Sequence, residues 1–411
     1  MSELMKSFFP VLDTKMVVPK HGGDLLKVRR EEESETKTNW IDLSSAVNRH
    51  PWPIPIIPEF LWYELPDQHS LKLAASNYYK HSNFVPLAGT QQGIECLPTI
   101  LFTHAFHSFK SELSPKVLVP NIGYQEHKFA WEKWGYHVES YQSFNELVEI
   151  DWQVAVLIQP NNPKAESFPN EQIKVLIELA NARHGYLIID EAFIDPIEDK
   201  SVLSLYAEIR MMRQENTQAK KSVSQKDDWP ESLILLRSVG KFFGLAGARI
   251  GFLFASKNIR DKVSITTGPW PISTPSVWLV SQALMDKKWQ QEAKQNLRAR
   301  SEFFQENIIP LLNTLCDHFC FSYKEWRVSD LFFTLFFLQK EVPKEAQGKK
   351  QADGIFTHLQ SVGIHVRLGD NWLRFALPAE EEFILIEERL QSLLVEFKVT
   401  YNGHNEKVLS K

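Results

Sequence analysis

Hydrophobic and polar positions follow two alternating periods through the middle of the chain. Short runs rich in Val, Ile and Leu, several of them apolar at every position, are typical of strands buried on both faces. These runs are Lys116–Pro120, Val154–Gln159, Tyr186–Asp190, Leu233–Arg237 and Ile250–Ala255. Between them lie helical patterns such as Pro169–His184, which places its apolar residues on one face. The repetition predicts an α/β domain whose mostly parallel central sheet is flanked by helices.

The two ends of the chain differ from this middle part. The first 60 residues are rich in proline (HPWPIPIIP) and show little periodicity, which predicts an extended arm. A helical tract from Ser276 to Leu315, an apolar strand within Leu331–Leu338 and a closing helix from Glu380 to Phe397 predict a smaller α+β domain. A polar stretch, Ser201–Ser232, predicts an exposed loop or a partly helical insert. We therefore divide the chain into an arm at 1–60, a large domain at 61–272 and a small domain at 273–411.

Composition and charge exclude several classes of protein. The 411 residues include 46 basic and 51 acidic side chains, so no overall field favours nucleic acid or an anionic membrane. The longest apolar run, Leu331–Leu338, is too short to cross a bilayer, and the acidic Glu3 is atypical of a secretion signal. Three cysteines without CxxC or Cys/His spacing give no disulfide framework and no metal site. We expect a cytoplasmic enzyme or binding protein.

Residues that could bind a ligand or take part in catalysis follow the predicted strands. Asn162, Asp190 and Lys241 each come at or just after a strand, at the edge where open α/β sheets bind ligands. The segment Ala88–Gly93 precedes a helical pattern and could cradle a phosphate. Each feature alone has a common structural explanation, such as a turn, a helix cap or a solvated lysine. Together they indicate one ligand that carries a phosphate, a ring hydroxyl, a ring nitrogen and an aldehyde.

The motifs in which these residues stand resemble those of a known family. They are HGGDL, WIDLSSAVNRHPWP, LPD, LLRSVGKFFGLAGARIGF, GPWPIS and VRLGDNWLRFALP. They resemble the fold-type-I pyridoxal-phosphate enzymes, in the branch of histidinol-phosphate aminotransferase and threonine-phosphate decarboxylase, and most of all the decarboxylases of cobalamin biosynthesis. The resemblance implies pyridoxal 5'-phosphate as cofactor, a small phosphorylated amino acid as substrate and a homodimer. It implies decarboxylation of L-threonine O-3-phosphate to (R)-1-amino-2-propanol O-2-phosphate and CO2, with histidinol-phosphate-type transamination as the alternative.

The resemblance also implies roles for individual residues. Lys241 would be the Schiff-base lysine, and Asp190 would face the pyridine nitrogen. Asn162 would bind the ring hydroxyl oxygen and Tyr124 would stack on the ring. The phosphate would be bound by Thr90, Gln91, Ser238 and Arg249. The substrate would be bound by His21, Gly22, Asn48, Asn162, Arg367 and Arg374.

Three departures from the family pattern stand near these residues. Phe193 occupies a position where many relatives have tyrosine, which removes a hydrogen bond to the ring hydroxyl. Leu65 stands where relatives have a tyrosine that reaches the neighbouring subunit's cofactor phosphate. Lys164 and Ala165 replace the Thr-Gly that follows the asparagine turn. The choice between decarboxylation and transamination therefore rests on the resemblance, because spacing along the chain does not fix the angle of a Cα bond.

Overall fold

A computed structural model describes residues 16–25, 39–102, 115–206, 208, 229–338 and 346–408. The strands within them are β1 (Ile41–Leu43), β2 (Phe84–Leu87), β3 (Lys116–Pro120), β4 (His137–Tyr141), β5 (Val154–Ile158), β6 (Tyr186–Asp190), β7 (Leu233–Ser238), β8 (Gly251–Phe254), β9 (Tyr323–Ser329), β10 (Phe332–Phe337), β11 (Ile364–Leu368) and β12 (Trp372–Ala376). The α-helices are α1 (His69–Tyr79), α2 (Thr90–Leu101), α3 (Glu126–Lys133), α4 (Phe144–Glu149), α5 (Asn170–Ala182), α6 (Lys257–Thr267), α7 (Thr274–Met285), α8 (Lys287–Phe303), α9 (Ile309–His318), α10 (Ala346–Ser361) and α11 (Glu382–Val408). Within this described part of the chain, no helix has the length and apolarity needed to cross a membrane.

The described residues form two compact units. The first comprises the described parts of Met1–Pro19 and Pro51–Lys288, and it contains a seven-stranded sheet in the order β2-β8-β7-β6-β5-β3-β4. Strands β4, β3, β5, β6 and β7 are parallel, and β8 runs antiparallel to its neighbours β7 and β2. The prediction of a mostly parallel α/β sheet is therefore confirmed.

Burial on both faces explains the central strands. Every residue of β5 (VAVLI) is buried, and so are the last four residues of β6. Helix α5 covers part of the sheet with its buried face of Ile, Leu and Ala residues. This helix is shorter at both ends than the predicted Pro169–His184, because Pro169 is its N-cap and His184 adopts the left-handed conformation (φ 52°).

The second unit comprises the described parts of Lys20–His50 and Trp289–Lys411. Its five-stranded sheet has the order β1-β11-β12-β10-β9, in which β1 is parallel to β11 and the other pairs are antiparallel. Strand β10 is entirely buried, and its Phe333 ring stacks on Phe304 with the ring centroids 4.2 Å apart. The N-terminal segment thus supplies an edge strand to an α+β unit. The predicted domain boundaries at residues 60 and 272 stay predictions.

Two predicted elements have different limits in the structure. The continuous tract Ser276–Leu315 is divided among α7, α8 and α9, with a π-helical turn at Phe304–Ile308. The closing helix begins at Glu382 and extends to Val408. The stretch Ser201–Ser232 is not exposed at its ends, since Val202, Leu205 and Trp229 are buried, while 207 and 209–228 lie outside the described residues.

A buried ionic cluster links the ends of β6 and β7 to the segment that follows β6. The Arg237 guanidinium donates to Asp195 Oδ1 (2.7 Å), to Ser201 Oγ (3.0 Å) and to Glu191 Oε2 (3.3 Å). Glu191 also accepts hydrogen bonds from Ser201 Oγ and from the N–H of Val202. Burial raises the pKa of Glu191, while the charge of Arg237 opposes that rise. The cluster ties both strand ends to the segment that follows β6.

We expect Arg237→Met to destabilise the protein by about 3–5 kcal/mol, because it leaves two buried carboxylates without their cation. The matched control is Lys257→Met, which removes an exposed ion pair with Asp261 and should change stability by less than about 0.5 kcal/mol. The midpoint of denaturant unfolding, followed by circular dichroism, measures both changes. Equal midpoints for the two variants would contradict the importance assigned to this cluster.

Candidate active site

The carboxyl ends of three neighbouring parallel strands lie side by side. Ile158 at the end of β5 pairs with Asp190 at the end of β6, and Asp190 pairs in turn with Leu236 of β7. Asn162 follows β5 by four residues, and Ser238 is the last residue of β7. Because the strands are in register, residues far apart in sequence come to one edge of the sheet, as in other open α/β folds.

The N-terminus of helix α2 forms one wall of this edge. Gly89 caps the helix with φ 78° and ψ 162°, a conformation that is essentially restricted to glycine. A Cβ at this position would lie 2.8 Å from Nη2 of Arg249, so the arginine packs directly against the glycine. Arg249 itself adopts the left-handed conformation, φ 52°, and donates to the carbonyl of Ala246 at 3.3 Å. First-turn N–H groups and a guanidinium together make a site for an anion.

A buried carboxylate lies deeper in the same region. Asp190 is 3% exposed; its Oδ1 accepts a hydrogen bond from the N–H of Ala192, and its Oδ2 lies 3.0 Å from Nε2 of His127. His127 is equally buried and belongs to α3, in the connection after β3. The sequence analysis missed it, although a histidine that follows a parallel strand stands at the same sheet edge as Asn162 and Asp190. These two hydrogen bonds fix the direction of the Asp190 carboxylate.

The side chains of Tyr124 and Gln91 are joined by a hydrogen-bond network. Tyr124 OH donates to Gln91 Oε1 (3.2 Å), while Gln91 Nε2 donates to the buried Glu126 (2.8 Å) and to Glu95 (3.2 Å). Burial and the nearby charges of Glu126 and Asp190 raise the pKa of Tyr124, so its hydroxyl is neutral. The side-chain amide of Gln91 is therefore engaged by Tyr124, Glu126 and Glu95, and the role of Gln91 toward a phosphate stays a prediction.

Lys241 follows strand β7 in the loop that also carries Arg249. Its Nζ lies 5.3 Å from the centroid of the Phe193 ring, a cation–π distance. Phe193 is the residue that replaces the tyrosine of many relatives, and the structure places it beside the lysine rather than away from the site. An apolar ring here restricts the ammonium group without giving it a hydrogen-bond acceptor.

One pocket in the first unit unites the whole predicted cofactor set. It encloses about 690 Å³, part of it open to solvent. Its lining includes Thr90, Gln91, Tyr124, Asn162, Asp190, Ser238, Lys241 and Arg249. The other lining residues are Gly89, Ile158, Ala192, Phe193, Gly240, Ala246 and Ile250. The individual roles of these residues stay predictions.

Apart from Asn162, which lines the pocket of the first unit, the predicted substrate residues belong to the second unit. Arg374 donates to the carbonyl of Ser44, and the Oγ of Ser44 accepts the N–H of Gly23 at 2.8 Å. A Cβ on Gly22 would lie 2.0 Å from the Ser44 carbonyl oxygen, so this glycine packs against the same loop. Arg367 donates a hydrogen bond to the carbonyl of Lys20. Lys20 precedes His21, which is exposed, and Asn48 stands five residues after the end of β1. The structure thus groups Gly22, Arg367 and Arg374 around the N-terminal segment.

The donor set of the first-unit pocket fits pyridoxal phosphate. Helix N–H groups, Ser238 and Arg249 suit a phosphate, and the missing side chain of Gly89 lets the guanidinium of Arg249 approach the start of helix α2. A fixed buried carboxylate, Asp190, suits a protonated ring nitrogen, and Lys241 is an amine that can condense with an aldehyde. The fit covers the phosphate, the ring nitrogen and the aldehyde, and the side chain of Asn162 in the same lining is a possible donor to the ring hydroxyl oxygen.

Comparison with known proteins identifies the family. The profile of the family described as "Aminotransferase class I and II" matches residues 65–380, so the chain belongs to this family of pyridoxal-phosphate-dependent enzymes. A threonine-phosphate decarboxylase of Pseudomonas aeruginosa is 30% identical over 288 residues, which is 70% of this chain and 77% of that protein. A threonine-phosphate decarboxylase of a Sinorhizobium species is 27% identical over 64% of this chain and 71% of its own length. The resemblance stated from the motifs and the cofactor prediction are confirmed.

Solved structures share the fold. The histidinol-phosphate aminotransferase from Clostridium acetobutylicum superposes with a TM-score of 0.65 at 19% identity, covering 85% of this chain and 98% of that chain. The enzyme of the same name from Sinorhizobium meliloti, solved in complex with pyridoxal-5'-phosphate, gives a TM-score of 0.63 at 15% identity, covering 93% of this chain and 99% of that chain. The fold is therefore that of the fold-type-I pyridoxal-phosphate enzymes, as predicted.

We expect Gly89→Ala to weaken pyridoxal phosphate binding about tenfold. Residue 89 would keep a backbone conformation that is strained for alanine, at a cost of about 1–3 kcal/mol, and its new Cβ would clash with the guanidinium of Arg249. Gly247→Ala in the neighbouring loop is the control, because a Cβ there has no heavy atom within 4 Å among the described residues. Cofactor dissociation constants from absorbance titration decide the matter: equal constants for both variants would show that the Gly89 cap does not contribute to the cofactor site.

Proposed function

We propose that this protein is a pyridoxal-phosphate-dependent decarboxylase. It converts L-threonine O-3-phosphate to (R)-1-amino-2-propanol O-2-phosphate and CO2 for cobalamin biosynthesis. The observation that carries the proposal is the pairing of Arg367 with Arg374 across the antiparallel strands β11 and β12. The two relatives that are named threonine-phosphate decarboxylases support the same assignment.

The two arginines have like charges at directly opposite positions, which is unfavourable unless an anion binds there. Arg374 is only 7% exposed; burial, and then the charge of Arg367, lower its pKa to about 9. Burial also lowers the pKa of Arg367. Phosphothreonine carries a carboxylate and a phosphate, and so supplies one anionic group for each arginine. Histidinol phosphate carries a phosphate and an alcohol, which leaves one arginine without an anion.

Four residues of the pocket act on the cofactor ring or on the substrate Cα in the proposed reaction. Bound pyridoxal phosphate supplies an electron sink for the charge that develops at the substrate Cα. Asp190, fixed by His127 and the N–H of Ala192, holds a proton at the ring nitrogen. Lys241 Nζ delivers a proton to Cα as the bond to the carboxylate breaks and CO2 leaves. Asn162 and Tyr124 orient the ring.

The choice of reaction depends on which Cα bond stands perpendicular to the cofactor ring. In our proposal, Arg367, Arg374, Asn48 and His21 hold the two anionic groups of the substrate so that the Cα–carboxylate bond takes this position. Transamination of histidinol phosphate would use the same cofactor residues and break the Cα–H bond instead. The difference between the two reactions therefore lies with the substrate residues.

Incubation of the cofactor-loaded protein with phosphothreonine should release CO2 and aminopropanol phosphate in equal amounts. Lys241→Ala is the control and should be inactive and lose the visible absorbance of lysine-bound cofactor. If phosphothreonine is inert while histidinol phosphate and 2-oxoglutarate yield glutamate, the decarboxylase proposal is wrong and the aminotransferase alternative holds. Mass spectrometry of the products distinguishes the two outcomes.

We further propose that the protein acts as a homodimer. Large apolar side chains are exposed along the segment that leads into α1, namely Ile54, Ile56, Phe60, Trp62, Tyr63 and Leu65. Ile56 is 95% exposed and Trp62 is 64% exposed, which is unfavourable for a surface that stays in water. Leu65 stands where relatives have a tyrosine, so a contact from this residue to a neighbouring subunit would be apolar.

Trp62→Asp should convert the dimer to a monomer at micromolar concentration, because it places a charge in an apolar interface. Val175→Asp, which changes an exposed apolar residue on helix α5, should leave the mass unchanged. Sedimentation velocity measures both. A monomeric wild-type protein would refute the proposed dimer.

A further inference from the structure

Arg300 is a buried cation in helix α8 that the proposed reaction does not use. It is 3% exposed, and burial lowers its pKa to about 10. Its two donated hydrogen bonds go to neutral oxygens: Nη1 donates to the carbonyl of Pro378 and Nη2 to Oδ1 of Asn48, both at 2.8 Å. Its Nε makes no hydrogen bond among the described residues.

Such an arrangement is a poor source of stability. Desolvation of a guanidinium is costly, and neutral acceptors compensate it less well than a hydrogen-bonded carboxylate does. The charges of Glu381, Glu380 and Glu382 oppose this effect of burial, but no hydrogen bond among the described residues joins them to Arg300. Glu380 and Glu381 are exposed to solvent. Glu382 binds the Arg49 side chain and accepts the N–H of Ala379. An apolar side chain of similar length would fill the same space without this cost. The hydrogen bonds of Arg300 therefore call for an explanation other than stability.

The contacts of Asn48 supply that explanation. Its Oδ1 accepts from Arg300 and, at 3.0 Å, from the N–H of His50. With both hydrogen bonds on the carbonyl oxygen, the amide plane has one orientation, in which the donor atom Nδ2 is directed away from Arg300 and from the N–H of His50. An anionic substrate needs a donor, so the orientation set by Arg300 is the useful one.

Arg300 also joins two separate parts of the second unit. Pro378 follows β12, the strand that carries Arg374, whereas Asn48 follows β1. Next to this bridge, the side chain of Arg49 forms a two-pronged ion pair with Glu382. The N-terminal segment is thus fixed by two arginines to the turn that leads out of the Arg374 strand.

We propose that Arg300 is a positioning residue for substrate recognition: it fixes the amide of Asn48 as a donor and holds it in register with the Arg374 strand. This inference rests on the proposed function in so far as Asn48 binds the substrate. It assigns to Arg300 an effect on substrate affinity and not on cofactor binding, which belongs to the pocket of the first unit.

A double-mutant cycle tests the proposal. The variants are Arg300→Met, Asn48→Ala and the double variant, and the readouts are kcat and KM for phosphothreonine with the cofactor-loaded protein. We expect each single variant to raise KM about tenfold or more, since a hydrogen bond to a charged group is lost, and the double variant to be no worse than Asn48→Ala. Full additivity of the two effects, or an unchanged KM in Arg300→Met, would overturn the proposal.

Controls separate positioning from a purely structural role. Arg298→Met changes an exposed arginine on the same helix and should behave as wild type. Arg300→Met should keep the thermal midpoint and the cofactor absorbance of the wild type, whereas a structural role requires the midpoint and KM to change together. If Arg300→Met does not fold, Arg300→Lys replaces it, because a single ammonium cannot span both acceptors as the planar guanidinium does.

A crystal structure of the Arg300→Met or Arg300→Lys variant provides a readout that needs no substrate. We expect the side chain of residue 48 to be displaced or to occupy two conformers, and an unchanged side chain would refute the inference. If the wild type turns over histidinol phosphate instead of phosphothreonine, the cycle is run with that substrate. Failure of the proposed function and failure of the Arg300 inference are therefore seen in different measurements.

Discussion

The in-register pairing of β5, β6 and β7 is the constraint on which the candidate site depends. Parallel strands that are buried on both faces end at the same edge, and the pairing of Ile158 with Asp190 brings that aspartate next to the loop that carries Asn162. A shift of one residue in β6 would turn Asp190 to the opposite face of the sheet. Hydrophobic burial along the strands thus sets the position of a carboxylate at their end.

Buried charged side chains pair with each other where β6 and β7 leave the apolar core. Arg237 and Glu191 each stand next to a pocket residue, Ser238 and Asp190 respectively, and their ion pair links the two strand ends. On the pocket side, His127 and the N–H of Ala192 fix the carboxylate of Asp190. Rigid support of this kind is needed for a cofactor whose ring must keep one orientation during the reaction.

The two units carry different sets of the predicted site residues. The first unit carries an anion cradle, a buried carboxylate and a lysine, which together suit pyridoxal phosphate. The second unit carries the paired arginines and the N-terminal segment that packs against them.

Local pattern was sufficient for much of the fold. Strands such as Lys116–Pro120 and Tyr186–Asp190 are correct to the residue, because an unbroken apolar run has few alternatives in a buried sheet. Helix limits were less accurate, as in the tract that divides into α7, α8 and α9. Asp286 leaves the helical conformation after α7 (φ −82°, ψ 77°), and a π-helical turn precedes Pro310 in the first turn of α9, whereas the apolar period runs on through both places. The role of His127 beside Asp190 was also missed, because the residues around it in the sequence do not show that it is buried against an aspartate 63 positions away.

The sequence by itself was sufficient to predict the family and the cofactor, through the resemblance of its motifs to a known family. The predicted cofactor residues line one pocket, because most of them stand at or just after strands of one sheet. Only the tertiary structure decided which polar groups bind each other across long separations. It directed the amide of Gln91 to Glu126, placed His127 on Asp190 and joined Arg300 to Asn48, 252 positions away. Hydrogen bonds between distant residues depend on the packing of whole elements, and periodicity along one segment carries no information about them.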